Sequence, residues 1–152
     1  MMIIGIDPGQ DGGIAFIGSK VTAYKMPGTE RDIYDLLAEW PAGEATLSTI
    51  AFVFLEKVHT MKGQGIASSG KFMQGYGFLR GVVTALRYPL HDVTPQRWQR
   101  ALGCLTGGNK NISKQKAQQL FPHLKITHNV ADALLIVYYG KLFIEGNIKK
   151  EG

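Results

Sequence analysis

Met2-Ile3-Ile4-Gly5-Ile6-Asp7 carries no polar side chain until it ends on a carboxylate. A run without polar alternation predicts a strand covered on both faces, as in the middle of a sheet layered with helices. Pro8-Gly9-Gln10-Asp11-Gly12-Gly13 follows with dense turn chemistry. Residues 14–17 and 21–26 are two further strand-like runs, parted by Gly18-Ser19. Together the three predict an antiparallel meander.

Working outward, residues 50–55 form a second continuous apolar run, and it too ends on an acid, Glu56. Between the two runs, residues 30–40 have helical spacing, with Ile33, Leu36, Leu37 and Trp40 on one face and Thr29 as N-cap. A glycine-rich, basic loop follows at 57–65. A long helix is expected over 68–86, although Gly70, Gly75, Gly77 and Gly81 weaken its propensity. Residues 90–93 read as a short strand, and Thr94-Pro95 opens a helix running to about residue 102. A loop at 106–109 leads to a helix over 113–121, stopped by Pro122, and a largely apolar helix spans 129–144. No repeat, low-complexity tract or linker interrupts the chain, so residues 1–152 are expected to form one α/β domain.

Composition narrows the function. The 152 residues are 45% hydrophobic and 19% charged, enough for a real core. No apolar run is long enough to span a bilayer, and no secretory leader is evident, so no membrane partner is expected. The single Cys104 cannot make an internal disulfide, which suits a reducing, cytoplasmic setting. Seventeen Lys and Arg against twelve Asp and Glu give a net charge of +5. That excess favours a polyanionic partner, although solvated lysines produce the same balance.

With so few acids, their positions matter. Asp7 closes the first buried strand, Glu56 closes the second, and Asp132 lies near the start of an apolar helix. Taken singly, each has a structural reading: a turn former, a solvated strand end, a residue favouring a helix N-terminus. Taken together they are harder to place. Neighbouring parallel strands lie about 5 Å apart. If the two strands adjoin, Asp7 and Glu56 crowd like charges with no base inside either strand. Divalent cations relieve such crowding, and hard oxygen ligands select Mg²⁺, with Mn²⁺ as a substitute.

Four segments in order carry a family resemblance: Ile4-Gly5-Ile6-Asp7-Pro8-Gly9, Phe54-Leu55-Glu56-Lys57-Val58, Gly77-Phe78-Leu79-Arg80-Gly81 and Ala131-Asp132-Ala133-Leu134-Leu135-Ile136. In these the chain resembles the RuvC-type Holliday junction resolvases of the RNase H-like superfamily, in their compact phage and bacterial form. The resemblance implies a mixed five-stranded sheet, with the meander continued by parallel strands and flanked by helices. It implies Asp7, Glu56 and Asp132 as metal ligands, with Asp7 bridging two ions. Two such ions, roughly 3.5–4 Å apart, activate a water and stabilise the leaving oxygen of a phosphodiester. The expected products carry a 5′-phosphate and a 3′-hydroxyl.

The family completes its site just before the last aspartate, where this chain has His128 and Asn129. An imidazole nitrogen of His128 or the neutral amide oxygen of Asn129 would fill that place. Asn129 equally suits a helix N-cap or an inactivating replacement of an acid. Lys110 corresponds best to a family lysine that approaches the scissile phosphate, with Lys114 in reserve. Arg97, Arg100, Lys110, Lys114 and Lys116 fall within twenty residues that contain no acid, which favours phosphate contact over a merely solvated face. Relatives carry an aromatic residue three positions past the glutamate, where His59 stands here. His59, Met61 and Lys62 are therefore the residues expected to meet the junction centre, while Phe72 and Tyr76 suit core or interface packing. Trp40 and Trp98 suit the core.

A four-way junction has approximate two-fold symmetry, so a homodimer is expected, with the glycine-punctuated helix as its interface. Two other readings remain at this point: a junction-binding protein that does not cut, suggested by Asn129, and an actin-like nucleotide-binding protein. Asp7-Pro8-Gly9 and Gly12-Gly13 suggest the latter, but the chain is short for a two-lobed body and has no visible second phosphate loop.

Overall fold

Three strands in antiparallel succession open the chain: β1 (Met2–Asp7), β2 (Gly13–Ile17) and β3 (Val21–Lys25). Helix α1 (Glu30–Glu44) then carries the chain to β4 (Ala51–Glu56), which lies parallel to β1. Helix α2 (Ile66–Ala85) leads to β5 (Leu90–Val93), parallel to β4, and α3 (Pro95–Ala101), α4 (Lys110–Leu120) and α5 (His128–Ile144) complete the fold. The sheet order is β3-β2-β1-β4-β5, a meander extended by two parallel strands, as expected. The computed structural model describes residues 1–44, 50–58, 63 and 65–148. His59, Met61 and Lys62 lie outside them. No helix among the described residues is long and apolar enough to cross a membrane.

β1 is apolar on both faces because it is central and covered on both. Its even-numbered side chains, Met2, Ile4 and Ile6, join Leu37 of α1 and Leu79 and Val83 of α2 in one core. On the opposite face, Ile3 joins Phe54 of β4 in a second core built on α5. Strand alternation therefore sends Asp7, two residues past Gly5, toward the α5 face. Glu56, two past Phe54, points the same way. One step beyond the rung that pairs Ile6 with Leu55, these two acids end adjacent parallel strands.

Helix α5 is apolar nearly all round because the sheet covers one side and α4 the other, and nine of its residues are buried. Gly5 sets how closely it lies. A Cβ there would sit 2.7 Å from the Ala133 carbonyl oxygen and closer still to the Val137 backbone nitrogen. The same holds from the helix side at Gly140, where a Cβ would meet the Phe54 ring at 2.5 Å. Helix and sheet thus touch backbone to backbone at Gly5 and backbone to ring at Gly140, without spacers.

Several boundaries differ from expectation, each with a local cause. α1 is capped as predicted, with the Asp32 backbone N–H donating to Thr29 Oγ1 at 3.1 Å, but runs on to Glu44. α4 starts at Lys110 rather than 113, because Asn109 Oδ1 accepts from the Asn111 N–H at 3.0 Å and caps the helix three residues earlier. Lys110 thereby passes from a loop to the first helical position. α5 starts at His128 with Thr127 at the N-cap, so Asn129 is not the cap and Asp132 sits just past the first turn.

Candidate active site

Asp7, Glu56 and Asp132 converge where β1 and β4 end under the N-terminal part of α5. Burial pushes the Asp7 carboxyl well above the usual aspartate range; the charges of Glu56 and Asp132 push it further, and the Lys110 ammonium opposes them. Glu56 moves from an ordinary 4.5 up to about 7. Burial is the main cause, the Trp98 indole opposes it, and Asp132 adds to it. Asp132 is raised by burial, against the Ser113 hydroxyl and the positive charges of Lys110 and His128. Three carboxylates from distant parts of the chain thus act on one another in a partly dehydrated corner.

Two residues beyond the expected set hold these acids. The Trp98 indole Nε1–H donates to Glu56 Oε2 at 2.7 Å, although Trp98 reads from sequence only as core. A signal for it exists in principle, since a buried indole N–H requires a partner. Ser113 is the other. It is a buried polar side chain on α4, one helical turn after Lys110, so Lys110 and Ser113 face Asp132 together.

The remaining expected residues distribute unevenly. His128, exposed at the first position of α5, stands one turn from Asp132, close enough for its charge to act there. Asn129 instead donates its Nδ2–H to the Asp11 carbonyl at 2.9 Å, tying α5 to the turn after β1. Of the five bases between 97 and 116, Lys110 is the one whose charge reaches the acids. Lys116 lies near the buried Cys104, Arg100 and Lys114 sit on α3 and α4, and Arg97 lines a cleft of about 260 Å³ beside β5. Phe72 packs against the turn after Asp7, where a Cβ on Gly9 would meet its ring at 3.0 Å. Tyr76 and Arg80 on α2 join Asp92 on β5, with the tyrosine hydroxyl donating to the aspartate at 3.3 Å and the guanidinium paired to it.

The donor set suits a hard divalent cation. All three acids offer oxygen, their mutual repulsion calls for positive charge, and Asp132 Oδ1 is buried with no hydrogen-bond partner among the described residues. As the side chains stand, no three His, Cys, Asp or Glu residues among those described already form a group that could hold a metal ion. The fit therefore rests on the orphaned oxygen and the crowded charge.

The sequence matches no protein-family model, and no relative is found among curated proteins. Solved structures do match. RuvC of Thermus thermophilus in complex with a Holliday junction substrate superposes with a TM-score of 0.67 at 13% identity, covering 96% of each chain. A second Thermus thermophilus RuvC structure gives 0.63 at 14% identity, covering 97% of each. Sequence similarity at that level is slight, yet the agreement of architecture spans nearly everything. This chain has the fold of the RuvC Holliday junction resolvases, an RNase H-like mixed sheet flanked by helices.

Proposed function

We propose that this chain is a single-domain, divalent-metal-dependent endonuclease that resolves four-way DNA junctions as a homodimer. The observation that carries the proposal is the meeting of Asp7, Glu56 and Asp132 at one corner of a RuvC-like fold, with Lys110 beside them. Asp7, Glu56 and Asp132 would hold Mg²⁺ or Mn²⁺, with His128 a fourth donor within reach of Asp132. Asn129 donates its amide Nδ2–H to the Asp11 carbonyl, which leaves its amide oxygen as the atom that would serve as a neutral ligand. Such ions supply an activated water for attack on a phosphodiester and neutralise charge on the departing oxygen.

The chain's own residues do the rest. Asp7, the central and most buried acid, fixes where positive charge collects. Trp98 and Ser113 hold the flanking carboxylates. Lys110 directs an ammonium toward the reacting phosphate, where stabilisation of developing charge is worth most because water is partly excluded. Arg100 and Lys114 extend the basic surface for the DNA arms. Hydrolysis leaves a 5′-phosphate and a 3′-hydroxyl.

Helix α2 supports the dimer. Of its twenty residues only Leu79, Val82 and Val83 are buried. Ile66 is 93% exposed, and a Cβ at Gly70, Gly75, Gly77 or Gly81 would meet open space. A second copy related by two-fold symmetry would cover this face and present two sites to opposed strands.

The test is cleavage of a synthetic four-way junction with each arm end-labelled, titrated with Mg²⁺. Paired, symmetric nicks that a ligase can reseal support the proposal. Tight binding without nicking at any Mg²⁺ or Mn²⁺ concentration would instead make the chain a non-cleaving junction binder, and loss of both would leave only the fold.

A further inference from the structure

We propose that Trp98 is a positioning residue: its indole N–H fixes the orientation of Glu56, so that Oε1 is the oxygen left to meet a cation. This inference rests on the metal-site reading above and deepens it. The geometry is built from the chain connection. Glu56 ends β4 beside Val93, the last residue of β5, and the Lys57 N–H donates to the Val93 carbonyl at 2.7 Å, pinning the two strand ends together. Thr94 and Pro95 then turn directly into α3, and one helical turn later Trp98 reaches back over the end of β4.

The donor is rigid. Trp98 is fully buried, packed in the α5 core with Leu102 and Val93, so its ring cannot swing away. Its Nε1–H has one job there, the 2.7 Å bond to Oε2 of Glu56. A bond to a carboxylate is charge-assisted and directional. Held through one oxygen by a locked ring, the Glu56 carboxylate is confined in rotation, and its second oxygen is aimed by default. Groups that orient a metal ligand from behind typically contribute about 10–100-fold to metal affinity or activity.

The decisive variant is Trp98→Phe, which keeps an aromatic ring in the core and removes the donor. Mn²⁺ binding, counted by the electron paramagnetic resonance of free ion, should weaken on the order of tenfold or more, and kcat should fall comparably. Junction affinity in Ca²⁺ and KM should stay within about twofold, a split that mere loosening of the core would not produce. If folded Trp98→Phe protein binds Mn²⁺ and turns over like the native chain, the inference is overturned. If wild-type protein neither binds Mn²⁺ nor cuts, the metal-site reading fails instead.

A second measurement uses native packing, in case Trp98→Phe does not fold. The protein has two indole N–H resonances, from Trp40 and Trp98. Trp40 stacks on Phe16 on the far side of the sheet and serves as the internal reference. Glu56→Ala, and separately Mg²⁺ addition to the wild-type chain, should each move the Trp98 resonance and leave that of Trp40 in place. A Trp98 signal indifferent to both overturns the assignment.

Discussion

Glu56→Gln should make the metal-free protein more stable, and by an amount that depends on pH in a defined way. Glu56 moves from 4.5 to about 7 on folding, so between those values the native state holds a proton the unfolded chain has released. Stability falls as pH rises across that window, because ionising the carboxyl in place is unfavourable. A tenfold difference in proton affinity between the two states is worth about 1.36 kcal/mol, so the wild-type penalty approaches about 3 kcal/mol at pH 8 and vanishes near pH 4.5. Glutamine is neutral throughout and its amide oxygen still accepts from Trp98. For a chain of this size the gap corresponds to a melting temperature roughly 6–12 °C higher for Glu56→Gln at pH 8. The assay is thermal or urea unfolding in a chelator at pH 5, 6, 7 and 8, with Mg²⁺ added back in a parallel series. Mg²⁺ should close the gap by stabilising the wild type preferentially. A variant no more stable than wild type at pH 8, or an advantage of constant size from pH 5 to 8, would refute this account of the acid corner.

Three further outcomes are expected. Asp7→Asn and Asp132→Asn should each lower junction cleavage by more than about a hundredfold while leaving junction binding in Ca²⁺ nearly intact, read by gel shift beside a nicking assay; equal cleavage by either variant would remove that acid from the site. Lys110→Ala should reduce kcat on the order of a hundredfold and Lys114→Ala far less, since of the two lysines Lys110 is the one whose charge acts on Asp7 and Asp132; the reverse ranking under single turnover would transfer the role to Lys114. Gly5→Ala should destabilise the fold by at least about 1–3 kcal/mol in urea, because its Cβ meets helix backbone rather than a side chain that can move; a neutral substitution would show that α5 can lift.

Much of this architecture is legible in the continuity of its apolar runs. β1 and β4 stand out as unbroken apolar stretches, and the acids that close them are brought together by the parallel pairing that such runs imply. Asp132 follows from its odd place in an apolar helix. What sequence does not show are contacts whose partners share no local pattern. Trp98 lies 42 positions from Glu56, and nothing in either neighbourhood declares the hydrogen bond. Ser113 has the look of a helix start and is instead a buried hydroxyl facing Asp132, because Asn109 captures the cap one turn earlier. Asn129 suits a ligand or a cap by its position, yet its side chain reaches across to Asp11, a tertiary tether invisible to periodicity.

The bare α-carbon at position 5 works like the absence of a shim. Because nothing lies between β1 and the Ala133–Val137 stretch of α5, the separation of Asp132 from Asp7 is inherited from the thickness of two backbones. In the proposed metal site, discrimination between a small ion such as Mg²⁺ and a larger one such as Ca²⁺, which differ by roughly 0.3–0.5 Å in preferred oxygen distance, would then be adjustable from beneath the helix. Retuning this corner would start in the bed on which α5 rests, with every acid left unchanged.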